Sequence, residues 1–217
     1  MSLDKQFDVV IFDWDGTLFD SVGQIVVSLQ FAAQKFNQPL TDAAAKSVIG
    51  LGLPEVMQVL FPQVPALHQQ LLQSYSKHYV ENSTQDVWFD GVAELLAALQ
   101  AKEKLLAVAT GKSRAGLDRV LAQTQSEAMF AVTRAASETR SKPDPLMLEE
   151  ILTVLGIPAE RAVMVGDTSY DLEMAQRIGM PRIGVSYGVH TPEVLQQYQP
   201  IAIVDSVAQL QALLLEY

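Results

Sequence analysis

The chain has 217 residues, of which 49% are hydrophobic and 18% charged, enough apolar material for one full domain plus an insertion and too much for a disordered chain. Its formal net charge of −10, from 25 acidic and 15 basic side chains, is a poor match to a nucleic acid, whose phosphates are gripped by clustered Lys and Arg. The absence of cysteine excludes disulfides, thiolate metal sites and thiol nucleophiles together, and the lack of a membrane-length apolar run or an apolar signal core at MSLDKQFD predicts a soluble, cytoplasmic protein.

FDVVIF (7–12) is a short apolar run that reads as a buried strand, and it ends in two aspartates one residue apart, Asp13 and Asp15. From Ser21 the period changes: Val22, Ile25, Val26, Leu29, Ala32, Ala33 and Phe36 recur at helical spacing. Asp20 is placed to cap that helix, and Asn37 with Pro39 ends it. Thr41 suits the cap of a second helix, TDAAAKSVI, which stops at the glycines of IGLGLP. Pro54 suits the first turn of a third, and a fourth spans roughly 65–80 with Leu67, Leu71, Leu72, Tyr75 and Tyr79 on one face. Nothing between 17 and about 85 resembles a strand.

After Trp88 helices and strands alternate. Helix GVAELLAALQ leads to strand KLLAVAT, helix SRAGLDRVLAQ, a weaker strand near FAVTRAA and helix PLMLEEILTVLG. Strand RAVMVGD, helix YDLEMAQRIG, strands RIGVSY and IAIVD and helix SVAQLQALLLE complete the chain. This alternation predicts an α/β fold with a parallel sheet covered on both faces. The all-helical block after the first strand predicts an inserted cap, dividing the chain into a core of 1–16 with 86–217 and a helical unit of 17–85.

Ligands of open parallel sheets bind beyond the carboxyl ends of the strands. Three predicted strands end there in polar groups, giving Asp13 and Asp15, Thr110, and Asp167, while Lys142 lies in the loop SKPDP. Asp171 follows Asp167 by about one helical turn, so both can face one site. Four carboxylates in one pocket repel by roughly 4 kcal/mol per pair at about 4 Å and an effective dielectric near 20. Lys142 alone does not balance them, and an all-oxygen set suits Mg²⁺ better than Zn²⁺. An ionised aspartate beside Mg²⁺ and a lysine is a competent nucleophile toward phosphorus. A second, two residues on, is placed for general acid/base work.

In this order IFDWDGTLFDS, VATG, SKPDP and GDTSYDLEMA resemble the four signature motifs of the haloacid dehalogenase-like hydrolase superfamily, and the helical block resembles the cap of its phosphoglycolate phosphatase-like and β-phosphoglucomutase-like branch. The resemblance implies a Rossmann-like core and hydrolysis of a small phosphate monoester through an aspartyl-phosphate on Asp13. It makes Asp15 the general acid/base, whose backbone carbonyl also binds Mg²⁺, Thr110 the phosphate-binding hydroxyl, and Lys142 the group that steadies nucleophile and phosphoryl. It makes Asp167 a direct Mg²⁺ ligand and Asp171 a ligand to the metal or its waters, and it implies that the cap moves through the turn DGTLFDS. Trp14 stands where a smaller apolar residue is usual, which is expected to alter the pocket floor.

Gly111, with a loop amide beside Thr110, and Lys46, Lys112 and Arg114 are the further candidates for substrate contacts. No arginine precedes Arg114, so the cap lacks a guanidinium clamp for a second anion. His68, His78 and His190 lack a metal spacing and read as surface or packing residues, and Thr168 and Ser169 as helix caps. A phosphomutase acting on a sugar phosphate shares all these groups and is the nearest alternative; a phospho-acceptor signalling domain lacks the inserted helices. The expected partner is a small phosphorylated molecule, with neither nucleic acid nor membrane, and the sequence leaves the oligomeric state open.

Overall fold

A computed structural model describes residues 7–83 and 87–215. Strand β1 (Val9–Phe12) is followed by four helices, α1 (Val22–Lys35), α2 (Asp42–Lys46), α3 (Leu53–Leu60) and α4 (His68–Asn82). Helix α5 (Val92–Ala101), β2 (Leu105–Thr110), α6 (Arg114–Thr124), β3 (Val132–Ala135) and α7 (Leu146–Leu155) come next. The chain closes with β4 (Ala162–Gly166), α8 (Ser169–Arg177), β5 (Arg182–Val185), α9 (Pro192–Gln196), β6 (Ala202–Val204) and α10 (Val207–Leu215).

All six strands pair in parallel in the order β3-β2-β1-β4-β5-β6. Alternate side chains of each strand enter opposite layers. Val10, Phe12, Val163 and Val165 pack with Leu95, Leu99 and Leu210 from α5 and α10, whereas Val9, Ile11 and Met164 pack with Met147, Ile151 and Met174 from α7 and α8. Burial on both faces explains why these strands read as unbroken apolar runs. The chain leaves β1 first to one side, toward β2 and β3, and later to the other, through β4 to β6. The reversal between β1 and β4 opens a crevice at their carboxyl ends, just where Asp13 and Asp167 follow.

Helices α1 to α4 bury a separate cluster that includes Leu29, Val56, Met57, Leu71 and Tyr75, so the inserted block has its own apolar interior. The expected division at 85/86 and the start at residue 1 lie outside the described residues.

Several local expectations need correction. The second helix stops at Lys46 rather than running through Val48 and Ile49, which are buried in a turn. Thr41 does cap it, accepting the Ala44 N–H at 3.2 Å. Asp20 is exposed and caps nothing: Ser21 occupies the N-cap of α1, and its hydroxyl is drawn to Asp15 instead. Trp14 is fully buried and absent from the cavity floor. Its ring packs against Trp88 at 5.0 Å, Phe19 at 5.7 Å and Phe130 at 6.1 Å. Helix α9, too short to show a period, was not expected. No helix among the described residues is long and apolar enough to cross a membrane.

Candidate active site

At the carboxyl end of β1 and β4, three fully buried aspartates meet. One oxygen from each of Asp13, Asp167 and Asp171 lies within 4.8 Å of the others. Lys142 Nζ enters from the loop before α7 and donates to Asp13 Oδ1 and to Asp171 Oδ1, both at 2.6 Å. Asp167 is held on both oxygens, by the Thr17 hydroxyl at 2.8 Å and the Val189 N–H at 2.8 Å. Asp171 Oδ2 accepts from Thr168 Oγ1 at 2.7 Å and its N–H at 3.1 Å, so one carboxylate both caps α8 and faces the cluster. Asp13 Oδ2, buried, has no hydrogen-bond partner. It is the one oxygen of the six left without one.

The electrostatics follow from that geometry. Three buried carboxylates face a single ammonium, leaving two negative charges uncompensated when all are ionised. Burial, reinforced by the charges of Asp171 and Asp167 and opposed by Lys142, raises the Asp13 carboxyl well above its ordinary range. Burial and Asp171 push Asp167 up to about 7, against the bonds from Val189 and Thr17. Burial works against the charge of Lys142, but the attraction of Asp13 and Asp171 outweighs it and holds the ammonium above its usual range. The donor set is all oxygen, charge-deficient and has a bare lone-pair site on Asp13, which fits a hard divalent cation such as Mg²⁺.

Asp15 does not join the cluster. Its carboxylate turns to the Ser21 hydroxyl and to Lys112 Nζ, the latter at 2.7 Å. The count of four converging carboxylates is therefore three, and Lys112, expected at a substrate, is paired with Asp15 instead. Lys112 also lies 5.1 Å from the centroid of the Tyr79 ring of α4.

Glycine makes two close approaches possible. Gly16 has φ +84°, and a Cβ there would meet Asp167 Oδ2 at 2.3 Å. A Cβ on Gly111 would meet the Gly50 carbonyl oxygen at 2.5 Å, so the loop after α2 rests directly on the loop after β2. The same loop donates the Gly52 N–H to Ser141 Oγ at 2.7 Å and accepts the Tyr170 hydroxyl at the Ser47 carbonyl, 2.7 Å away.

A cavity of about 240 Å³ opens over the cluster, with Asp13, Asp15, Gly111 and Lys112 on its wall. Thr110, Lys142, Asp167 and Asp171 are buried and do not border it. Lys46 is exposed and borders nothing in the cavity. Arg114 also points elsewhere, paired with Asp118 at 2.7 Å and Glu138 at 3.4 Å across α6 and the loop after β3.

The sequence reading missed the hydroxyls of Thr17 and Ser21, the Val189 amide and Arg119, which lines the cavity from α6. Thr17 and Ser21 lie within IFDWDGTLFDS and were open to notice. Val189 and Arg119 belong to no motif. His190, expected to be structural, accepts the Ser169 N–H at 2.9 Å through Nδ1 and donates its own backbone N–H to the Asp167 carbonyl at 3.2 Å. Burial lowers its ring's pKa, in keeping with an accepting nitrogen.

A profile described as haloacid dehalogenase-like hydrolase matches residues 10–185. A protein from Dickeya dadantii named "Probable phosphatase IndB" is 34% identical over 210 residues, covering 93% of this chain and 91% of its own. Pyrophosphatase PpaX from Listeria monocytogenes serotype 4b is 26% identical, with 94% of each chain covered. Among solved structures, a haloacid dehalogenase-like hydrolase from Bacteroides fragilis matches with a TM-score of 0.87 at 25% identity, over 94% of this chain and 100% of the other.

Proposed function

Because the chain belongs to the haloacid dehalogenase-like hydrolases, we propose that it is a Mg²⁺-dependent phosphatase that hydrolyses a small phosphate monoester through an aspartyl-phosphate on Asp13. The observation that carries this reading is the unpartnered Oδ2 of Asp13, on a buried cluster whose other carboxylate oxygens are all held. Asp13, Asp167 and Asp171, with the Asp15 backbone carbonyl, would hold Mg²⁺, which when bound supplies charge neutralisation for the carboxylates and the phosphoryl oxygens.

Asp13 attacks phosphorus and the ester P–O bond breaks; Asp15, in its acid form, gives the leaving oxygen its proton. Water then attacks the phosphoryl-aspartate, Asp15 takes the water proton, and the bond from phosphorus to Asp13 breaks to release phosphate. Lys142 keeps Asp13 oriented and balances charge through both steps. Thr110, buried behind the cavity wall, accepts the Lys112 N–H at its Oγ1, 3.2 Å away, and so shapes the loop on which Gly111 would meet the phosphoryl group. Lys112 positions Asp15, and its withdrawal toward an incoming phosphate would free that carboxylate. In this reading residues 1–16 and 86–217 carry the reaction and residues 17–85 cover it. A phosphomutase acting on a sugar phosphate would use the same groups, and analysis of the product separates the two.

The test is a panel of phosphate esters assayed for released phosphate with and without Mg²⁺, together with mass spectrometry of the acid-quenched enzyme. Expected are Mg²⁺-dependent release and one phosphoryl group on the peptide containing Asp13. Isomerised sugar phosphate without free phosphate would instead identify a mutase, and the absence of any adduct would remove the covalent step.

A further inference from the structure

The cavity wall facing away from the aspartates is built of Ile25, Leu29, Val48, Val56, Tyr75 and Tyr79, contributed by α1, α3, α4 and the turn after α2. Tyr75 and Tyr79 stand one turn apart with their rings stacked at 5.9 Å. Such a wall, more apolar than polar, welcomes apolar or planar groups.

Into the same cavity comes Arg119, five residues into α6 and so about 7 Å along the helix from its start. Its guanidinium carbon lies 5.4 Å from the Tyr79 ring centroid, and its Nε is buried without a hydrogen-bond partner. Arg114, Arg134, Arg140, Arg161 and Arg177 each meet a carboxylate, and Arg182 bonds two backbone carbonyls. Arg119 alone, among the described residues, has neither. An unmatched guanidinium in a chain with ten more acids than bases is placed for an acceptor that arrives from outside.

Contacts run without a break from the reaction centre to this group: Asp15 to Lys112 at 2.7 Å, Lys112 to the Tyr79 ring at 5.1 Å, and that ring to Arg119 at 5.4 Å. We propose that the cavity selects monophosphate esters of an apolar or aromatic alcohol that carries a carboxylate, with the ring against Tyr79 and the carboxylate on Arg119. This substrate class rests on the phosphatase reading of the same site. Arg119 is then the residue that sets specificity, supplied by the core rather than by the inserted helices.

Hydrolysis of 4-carboxybenzyl phosphate, benzyl phosphate, glycerol 3-phosphate, 2-phosphoglycolate and pyrophosphate in Mg²⁺ tests the assignment. We expect kcat/KM for 4-carboxybenzyl phosphate to exceed that for benzyl phosphate at least tenfold, and both to exceed the three compact substrates. In Arg119→Gln the tenfold preference should fall below twofold, and Arg119→Lys should restore part of it. Equal or faster turnover of 2-phosphoglycolate, glycerol 3-phosphate or pyrophosphate overturns the substrate class, and a preference that survives Arg119→Gln overturns the role of Arg119. Calorimetric binding of the same compounds to the folded Asp13→Asn protein gives a second readout. The same order of affinities with no turnover by the wild type would sink the phosphatase reading and keep the cavity assignment, whereas turnover without that order would do the reverse.

Discussion

The two sides of the cavity are built on opposite plans. Below, on the sheet, Asp13, Asp167, Asp171 and Lys142 are buried and cross-linked, with distances of 2.6 to 2.8 Å fixed by partners from four separate segments. Above, the helices offer apolar surface and two tyrosines, with one cation, Arg119, reaching in from α6. Groups that react must be held in one geometry, because a small misplacement of charge in a low-dielectric site is expensive. Groups that choose a substrate need only complementary shape and a few polar contacts. The chemistry and the choice of substrate can therefore be altered separately, and variants on the two sides should fail in different ways.

Asp13→Asn should give the largest effect, lowering phosphate release by about four orders of magnitude or more while circular dichroism shows an intact fold, since the variant removes one of the two uncompensated charges. Retention of a tenth of wild-type activity would contradict nucleophilic catalysis. Next comes Lys112→Met, which leaves Asp15 with only Ser21. Turnover should fall about tenfold, a part of what general acid/base catalysis contributes, with kcat reduced more than KM is raised; an unchanged pH profile and kcat would remove Lys112 from the positioning of Asp15.

The charge imbalance makes a thermodynamic prediction. Asp167 titrates near 7 in the folded protein against an ordinary carboxyl value near 3.8, so between these values the native state binds more protons than the unfolded one. Stability from this group is full below about 4 and is lost as pH rises through 7, and the raised Asp13 acts in the same direction. Without divalent cation the melting temperature should fall from pH 5 to pH 8. His190, with its lowered pKa, opposes part of that fall below about 6.5. Millimolar Mg²⁺ should raise the melting temperature more at pH 8 than at pH 5, through binding to the native site alone, and Asp167→Asn should flatten the slope of the metal-free protein. A slope untouched by that variant would refute the assignment. The smallest effect belongs to Lys46→Ala, exposed and away from the cavity. Stability should change by less than about 0.5 kcal/mol and kcat/KM by less than twofold.

What the sequence showed and what it hid follow the same division. The strand ends were legible because a buried parallel strand is an apolar run and a polar group at its end is conspicuous; Asp13 and Asp167 could be picked out before any fold was known, whereas Lys142, in a loop, stood out only through the resemblance of SKPDP to a family motif. The register of the reading failed where neighbours in space decide. Asp20 looked like a cap because its side chain suits one, whereas Ser21 takes the N-cap position and turns its hydroxyl to Asp15 in the same motif. Lys46 and Arg114 looked eligible by proximity to motifs, whereas Arg119 enters the cavity only because α6 packs with that face toward α4. Trp14 lies between two site aspartates in sequence, yet it faces the aromatic layer beneath the sheet with Phe130 and Trp88. Alternation along an extended segment sends adjacent residues to opposite sides, and composition alone does not say which side is wet.

The position of β1 also governs how the protein comes into being. The segment bearing Asp13 is made before either of its sheet neighbours yet lies between them, with β2 near residue 105 on one side and β4 near residue 162 on the other. Until β4 has been made it must wait with at least one edge unpaired, a long-range pairing of the kind that slows folding and exposes nascent chains to aggregation. The acidic cluster closes only when Asp171 has been added, so no shorter nascent fragment brings all three aspartates to Lys142.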